Sequence, residues 1–261
     1  MTDIHKLVDN LHLEDLRNKE HPSAFDENEQ YDMLIIRLPI INKELEVNSI
    51  GFIITNDNSY FYDRSEDRFE ELGSRFEAPY EILDKMVDEL LKSFEYYHDL
   101  IADMEETLYF NQTKTSFMKQ WLRLKHNIVR VERVLMHASL TMNRAIEYYE
   151  NSSNFPINHY TDLHEHIERT LRSATLQLSK LDYLYHFYSA QTNEKLNHSI
   201  YILTIISAVF LPLNLLVGFF GINTSGLPFA DGASGTTNVV ILMLCVLIIT
   251  IGLINFVRKK V

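Results

Sequence analysis

The sequence predicts an α+β protein with a small N-terminal β-sheet, long helices of the coiled-coil type, and two membrane-spanning helices at its C-terminal end. Short apolar runs separated by turn residues lie within positions 31–62, and apolar residues then recur every three or four positions up to 188. The chain closes with two uncharged runs, of which the first, Ile200 to Phe220, has 21 residues. At about 1.5 Å per residue, that run can cross a hydrocarbon core of about 30 Å.

The N-terminal part is predicted to form the sheet. Residues 12–21 are polar and indicate a short helix or a loose arm. Composition and turn residues then predict strands at Tyr31–Ile40, ended by Pro39, at Val47–Thr55, and from Tyr60 to Tyr62 after the turn Asn56–Ser59. The sheet surface has to be covered by helices or by a neighbouring subunit.

Three helices follow, each with one apolar stripe at heptad-like spacing. Pro79 suits the first turn of the first helix, a break is expected near residues 111–113, and a turn lies at Asn151–Asn154. Stripes of this length with short turns predict antiparallel helices. The stripes are Ile82, Met86, Leu90, Phe94, Tyr97, Ile101, Met104 and Leu108; then Phe117, Trp121, Leu124, Ile128, Val131, Leu135, Ala138 and Met142; then Leu163, Ile167, Leu171, Ala174, Leu178, Leu181, Tyr185 and Tyr188.

The third helix is expected to run into the first membrane span without interruption. Neither glycine nor proline occurs between Ile157 and Leu211. A helix over residues 161–220 would be a rod of roughly 90 Å, able to pass a change at one end to the other. The predicted divisions are an N-terminal α/β domain at 1–75, a helical hairpin at 76–156, a stalk helix at 157–199, the first span at 200–220, a loop at 221–238, the second span at 239–257 and a basic tail at 258–261.

Charge and cysteine content exclude several classes of protein. The net charge is −12, and residues 1–199 hold 21 basic and 35 acidic side chains, which argues against binding of nucleic acid. Cys245, in the second span, is the only cysteine, so neither a disulfide framework nor a thiolate zinc site can form within one chain. No nucleophile elbow, phosphate loop or HExxH motif is present, and we do not expect an enzyme.

The basic residues predict the topology. Lys195 precedes the first span, Arg258, Lys259 and Lys260 follow the second, and the connecting loop has no lysine or arginine. By the positive-inside rule both termini are cytoplasmic and the loop is external. Since no charged segment followed by an apolar run opens the chain, we expect no signal peptide and a multi-pass protein of the inner (plasma) membrane. The basic tail could also contact lipid headgroups.

The first span carries a polar face. Its members are Ile200, Ser207, Leu211, Asn214 and Gly218, in a helix that also contains Thr204 and Pro212. An amide at membrane depth is costly unless it faces protein or water. One interpretation is packing and hydrogen bonding between helices. The other is a pore-lining face in a symmetric bundle, where Asn214 and Ser207 would form rings that touch a hydrated ion.

The segment TIISAVFLPLNLLVGFFGIN closely resembles the first transmembrane helix of the CorA superfamily of divalent-cation transporters. The shared features are a Leu-Pro pair in mid-helix, a glycine three residues before the terminal motif, and a terminal Gly-x-Asn. The middle residue of Gly221-Ile222-Asn223 departs from the usual Gly-Met-Asn, and with the following TSGLP it is more similar to the ZntB-type zinc branch. The resemblance implies a homopentameric funnel with a reduced N-terminal domain, which transports Zn²⁺ or Mg²⁺ and possibly Co²⁺ or Ni²⁺ and has no permanently bound cofactor.

The resemblance also implies roles for residues of the first span. Gly221, Ile222 and Asn223 would form the selectivity filter at the outer mouth, with Asn223 touching the metal; the alternative is that glycine and asparagine cap the helix. Asn214 and Gly218 match a pore-facing polar residue and a close-packing glycine. Ile200, Leu203 and Leu211 match the apolar constriction that serves as a gate, for which contact with lipid or protein is the alternative.

Two further sets of residues are candidate metal ligands. Glu95, Asp99 and Asp103 stand four residues apart on one helix, where like charges repel unless a cation neutralises them; the alternative is a solvated face. His186 aligns with an acidic pore-entrance residue of relatives and could form a ring of imidazoles. His164 and His166 are two residues apart, so they do not converge on one ion within a chain.

The sequence therefore predicts transport of divalent metal cations through a homo-oligomeric pore with a cytoplasmic sensing domain. The alternative is a membrane-anchored coiled-coil interaction or sensory protein that moves no metal. It predicts that replacement of Asn214 or Asn223 leaves function intact.

Overall fold

The structure, a computed structural model, describes residues 4–42, 44–110, 116–222 and 234–258. They divide into two compact units, Met1–His186 and Phe187–Val261. The elements are α1 (Ile4–Leu7), α2 (Asn10–Arg17), β1 (Ala24–Glu27), β2 (Asp32–Ile41), β3 (Leu45–Ile54), β4 (Ser59–Asp63), β5 (Arg68–Glu71), α3 (Glu77–Tyr109), α4 (Phe117–Tyr149), α5 (Ile157–Phe220) and α6 (Gly235–Arg258). The predicted fold class is confirmed, and α5 continues from the stalk region through the first span as expected.

The sheet is an antiparallel meander in the order β1-β2-β3-β4-β5. The three predicted strands correspond to β2, β3 and β4. The strands β1 and β5 were not predicted because they have four residues each, with the sequences AFDE and RFEE, and show no apolar run. They form the two edges, where charged residues face water without cost. The strand β2 is buried along nearly its whole length, which explains its continuous run of apolar residues.

Pro39 does not end β2, contrary to the prediction, because the strand continues to Ile41. The backbone nitrogen of Arg37 donates to Ser23 Oγ at 2.9 Å, on the side of β2 that faces β1. The nitrogen of Pro39, two residues on, points to the same side, and β1 pairs with β2 only as far as Ile35. No strand therefore needs a donor there, and proline is tolerated.

The helices α1 and α2 cover one face of the sheet. Val8, Leu13 and Leu16 form a buried cluster with residues of β2, β3 and β4. A side chain at Gly51 on β3 would collide with that of Leu16, so glycine allows α2 to lie directly on the strand. Arg64 fixes this arrangement, since its guanidinium donates to the carbonyls of Leu16 and Ser49.

The other face of the sheet meets α4 through a buried polar contact, and a second buried contact joins α5 to the residue that precedes α3. The hydroxyl of Tyr149 at the end of α4 donates to Asp32 Oδ2 on β2, and both residues are buried. The hydroxyl of Tyr160 on α5 donates to the carbonyl of Phe76 at 2.9 Å. Burial is the main cause that raises the pKa of both tyrosines, and for Tyr149 the neighbouring carboxylate adds to it.

The helices α3 and α4 pack along the predicted stripes, whereas only four of the eight stripe residues predicted for α5 are buried. All eight stripe residues predicted for α4 are buried. In α3, Leu83 and Val87 join the core while Ile82 is only half-buried. In α5 two polar residues that the stripe did not include, Thr170 and Gln177, are buried. Leu184 is buried as well, in place of the predicted Tyr185. The buried set in α5 is Tyr160, Leu163, Ile167, Thr170, Ala174, Gln177, Leu181 and Leu184.

Side-chain bonds between helices set their register. Between α4 and α5, Trp121 Nε1 donates to the carbonyl of Leu181 at 2.8 Å, and Ser139 Oγ lies 3.0 Å from His164 Nε2. These partners run in opposite directions along the chain, so α4 and α5 are antiparallel. Between α3 and α5, Glu105 forms an ion pair with Lys180, and His98 is hydrogen-bonded to Gln177. Because the partners on both helices advance in the same direction along the chain, α3 and α5 are parallel.

The second unit consists of the part of α5 that follows His186, together with the whole of α6. Two helices are long and apolar enough to cross a membrane, Ile157–Phe220 and Gly235–Phe256, and none of the residues in their most apolar windows is buried. The helix α6 contains the predicted second span at 239–257 and begins four residues before it. The predicted break at 111–113 and most of the loop at 221–238 lie outside the described residues.

Candidate functional site

The candidate site is the polar face of α5 in the second unit. With about 100° per residue, Ile200, Ser207, Leu211, Asn214 and Gly218 fall within an arc of about 60°. Ile200, Leu211 and Asn214 are exposed, and Ser207 is half-buried. Leu203 lies beside this face and is also exposed. We call these six residues the α5 face.

Polar groups on the α5 face have no partner in the part of the chain that the structure describes. Neither the amide of Asn214 nor the hydroxyl of Ser207 makes a hydrogen bond there, whereas the neighbouring Thr204 hydroxyl donates to the carbonyl of Ile200 at 2.8 Å. An amide within an apolar helix is costly to leave unpaired in hydrocarbon. Asn214 therefore requires either another protein chain or water.

Pro212 adds a further polar group within the same helix. It lies inside α5 and has no backbone N–H to donate to the carbonyl of Ala208, four residues earlier. The carbonyl of Ala208 thus lacks its usual helical donor, about three turns before the helix ends. Such a break in the backbone ladder at membrane depth is tolerated where protein or water supplies the missing bond.

Gly221 ends the helix for a steric reason. Its N–H donates to the carbonyl of Val217 at 2.8 Å, and a Cβ on Gly221 would lie 2.8 Å from that same oxygen. Any larger residue would have to shift this last turn. By contrast, a Cβ on Gly218 would meet nothing within 4 Å. Its small size can therefore matter only against a further helix. Ile222 is exposed, and Asn223 lies outside the described residues.

The acidic candidates on α3 are only partly brought together. Glu95, Asp99 and Asp103 are all exposed. Glu95 and Asp99 line a groove of about 480 Å³ against α5, whereas Asp103 does not. Over residues 4–42, 44–110, 116–222 and 234–258, no three His, Cys, Asp or Glu side chains stand close enough to hold a metal ion.

His98 is the residue of this groove that the sequence analysis missed. It lies between the two carboxylates in sequence and lines the same groove. Its Nδ1 lies 2.9 Å from Nε2 of the buried Gln177, so a hydrogen bond joins the two side chains. The spacing Glu-x-x-His-Asp at 95–99 was the available signal. Arg169, also in the lining, supplies the opposing positive charge.

The remaining histidine candidates have separate partners. His186 is exposed, and its ring meets that of Tyr185 edge to face at 5.8 Å. His164 contacts Ser139 and Glu168, while His166 lies 3.5 Å from Asp162. His164 and His166 share no partner among these contacts, in agreement with the argument from helix spacing.

A family model described as CorA-like Mg2+ transporter protein matches residues 2–259. The chain is 23% identical over 277 residues to the cobalt/magnesium transport protein CorA of Thermotoga maritima, covering 98% of this chain and 76% of the relative. It is 24% identical over 173 residues to the zinc transport protein ZntB of Yersinia pseudotuberculosis, covering 66% of this chain and 52% of the relative. The chain thus spans about half the length of ZntB.

Among solved structures, the chain is similar to the complete CorA magnesium transporter of Methanocaldococcus jannaschii. The TM-score is 0.76 at 17% identity, over 96% of this chain and 84% of the other. This likeness shows that the sheet, the long helices and the two apolar helices share one fold with that protein.

Proposed function

Because the chain belongs to the CorA-like Mg2+ transporter family, we propose that it carries divalent cations across a membrane through a pore lined by the α5 face. The family is one of transporters and not of enzymes. The observation that carries the proposal is the unpartnered amide of Asn214, exposed on a narrow face of a helix that is apolar enough to span a membrane. An amide at membrane depth is tolerated where it faces a water-filled lumen.

The pore requires several copies of the chain around one axis. We infer a homopentamer, in which each α5 face contributes one Asn214 and one Ser207 to rings of oxygen atoms. These rings would touch the hydration shell of a cation without stripping it. Ile200, Leu203 and Leu211 would form apolar rings that close the lumen by excluding water.

The selectivity filter is proposed at the end of α5. Gly221 allows the last turn to end tightly, which is supported by the 2.8 Å at which a Cβ on this residue would approach the carbonyl oxygen of Val217. Ile222 and Asn223 would follow at the outer mouth, with the amide oxygen of Asn223 touching the cation. The absence of basic residues from the loop at 221–238 supports its placement on the outer side, with both termini cytoplasmic.

The ligands on the α5 face and the signature at its end favour different cations. Among the residues of the α5 face, the side-chain ligands are oxygens only, which suits hydrated Mg²⁺. Zn²⁺ prefers imidazole, and His186 and His198 are the nearest histidines along α5. The Gly-Ile-Asn signature favours the zinc branch, so Zn²⁺ is the first cation to test.

A regulatory role is proposed for the acidic groove of the first unit. Glu95 and Asp99 line it, and Asp103 continues the row of exposed carboxylates on α3. A divalent cation bound there from the cytoplasm would relieve the repulsion within this row. The first unit would then sense the transported ion.

The proposal is tested by cation flux into proteoliposomes of the purified full chain. Zn²⁺, Mg²⁺, Co²⁺ and Ni²⁺ are compared with and without a pH gradient, with Asn223→Ala as the variant. Zn²⁺ uptake that the variant loses is the expected result, while Mg²⁺ uptake would keep the pore and change the cation. If no divalent cation enters above the level of empty vesicles while the protein still assembles, the pore fails. A coiled-coil interaction protein would then be the better description.

A further inference from the structure

A second pocket lies between α3 and α4, on the side of α3 that carries Tyr96 and Tyr97. Its volume is about 350 Å³, within the range of about 300–1,000 Å³ that is typical of small-ligand sites. The side chains that matter are Tyr96 and Tyr97 on α3 and Lys119, Gln120, Arg123 and Asn127 on α4. We call it the α3–α4 pocket.

The hydroxyl of Tyr97 is an unpaired polar group in this pocket. Tyr97 is 2% exposed, and its hydroxyl oxygen is buried without a hydrogen-bond partner among the described residues. Burial raises the pKa of Tyr97, whereas the Asn127 side chain, which is near enough to interact with the hydroxyl, and the charges of Arg123 and Arg130 lower it. A buried hydroxyl without a good hydrogen bond is unfavourable. A ligand that accepts from it, or donates to it, would remove that cost.

The charges in the pocket are positive and uncompensated. Lys119 and Arg123 stand one turn apart on α4, and neither forms an ion pair with a carboxylate in the part of the chain that the structure describes. Other basic residues of the same bundle do form ion pairs, for example Lys125 with Asp182 and Lys180 with Glu105. Two like charges at this spacing repel each other. In a chain of net charge −12, an unpaired basic pair beside a pocket indicates an anionic ligand.

The start of α4 adds to the positive potential. Ser116, which also lines the pocket, precedes the first residue of this helix, and its side chain makes no capping hydrogen bond. No acidic residue lies in the first turn. The helix dipole therefore adds to the two cationic side chains at the place where an anionic group would bind.

The other side chains suit a planar polar group next to the anion. Tyr96 is 45% exposed, so one part of its ring is available for stacking. The amides of Gln120 and Asn127 and the hydroxyl of Tyr97 can donate and accept hydrogen bonds. We propose that the α3–α4 pocket binds a small nucleoside phosphate, with the phosphate at Lys119 and Arg123 and the base between Tyr96 and the amides. This site is separate from the α5 face and does not depend on cation transport.

The first experiment measures binding of AMP to the full-length protein in detergent by calorimetric titration, with EDTA present to exclude metal-bridged binding. Adenosine and inorganic phosphate are titrated in parallel. We expect saturable binding of AMP and weaker binding of each part alone. Lys119→Ala with Arg123→Gln should lower the affinity for AMP by roughly tenfold or more, since each removes a charge-assisted hydrogen bond. Arg133→Gln, an exposed position on α4 outside the pocket, should leave it unchanged.

Tyr97→Phe distinguishes a ligand-binding hydroxyl from a structural one. Since the hydroxyl makes no hydrogen bond of ordinary geometry within the described residues, its removal should leave the apparent Tm unchanged or higher, while the affinity for AMP falls roughly threefold or more. The proposal is overturned if AMP shows no saturable binding, if binding survives the loss of both cations, or if inorganic phosphate binds as tightly as AMP. A lower Tm for Tyr97→Phe with unchanged affinity for AMP would overturn it as well.

Discussion

The contact between Tyr149 and Asp32 joins α4 to the sheet, and its removal has a predictable cost. Tyr149 is 2% exposed and Asp32 is 5% exposed, and Oδ1 of Asp32 has no hydrogen-bond partner among the described residues. Tyr149→Phe removes the donor to Oδ2 and leaves the carboxylate with less compensation in a buried place. A hydrogen bond to a charged group contributes about 1.5–3 kcal/mol, and leaving the carboxylate unpaired adds to this. We expect a loss of about 3 kcal/mol in the free energy of unfolding.

Thermal unfolding of the full-length protein in detergent measures this loss. At about 2–4 °C per kcal/mol for a domain of this size, the apparent Tm should fall by roughly 6–12 °C. Tyr185→Phe is the matched control, because Tyr185 is exposed and its hydroxyl is expected to contribute little. Adding Asp32→Asn to Tyr149→Phe should restore part of the loss, since it removes the buried charge. If Tyr149→Phe costs under about 0.5 kcal/mol, or if the two substitutions simply add, the proposed pairing is refuted.

Three further predictions concern the first unit. Gln177→Leu should raise the free energy of unfolding by about 1 kcal/mol, because it removes Oε1, which is buried without a partner in the described residues. His98 loses its bond to Nε2 but is exposed and can bond to water instead, so a clear loss of stability would contradict this prediction. Arg64→Ala should cost about 2–4 kcal/mol in the same thermal assay, since it frees two carbonyls that this side chain binds on α2 and β3; an unchanged Tm would contradict it. The raised pKa of Tyr149 and Tyr160 means that their contribution is complete below the unfolded pKa of about 10 and is lost as pH rises further. Stability should therefore fall above pH of about 10, and less steeply in Tyr160→Phe, whereas a flat profile up to pH of about 11 would contradict this.

The helical parts of the fold could be predicted because their apolar stripes follow one period. For α4, every residue that spacing assigned to the stripe is buried, although the buried stripe continues beyond them to Ala145 and Tyr149. In α5 the same period holds, but Thr170 and Gln177 occupy seam positions, and a rule that looks for apolar residues passes over them. Gln177 is accommodated by His98 on α3, a contact that spans 79 residues of sequence and leaves no local signal.

The edges of the sheet could not be predicted for a different reason. The strands β1 and β5 are short and charged, as edge strands often are, so their composition resembles that of a loop. Their existence depends on the register of the neighbouring strands. Pro39 illustrates the same limit, since its tolerance within β2 follows from where β1 ends.

The candidate sites, too, could be predicted from the sequence only in part. The α5 face is visible from helical spacing, because a helix fixes which residues share a side. Tyr97 was predicted as a core residue, and it is buried. Spacing cannot reveal that its hydroxyl lacks a partner or that Lys119 and Arg123 remain uncompensated beside it, because both facts depend on how α3 and α4 pack.

The most direct test of the central claim is cysteine scanning of the α5 face during cation flux. Because Cys245 is the only cysteine in the chain, a Cys245→Ser background gives a protein without thiols. Asn214→Cys and Leu216→Cys are introduced separately, and divalent-cation uptake into proteoliposomes is measured before and after a charged, water-soluble thiol reagent. Two residues apart on a helix, these positions point in nearly opposite directions, about 200° apart. We predict that the reagent blocks uptake through Asn214→Cys and leaves Leu216→Cys unaffected. Block at Leu216→Cys alone, or the absence of divalent flux in the background protein, would contradict a pore lined by the α5 face.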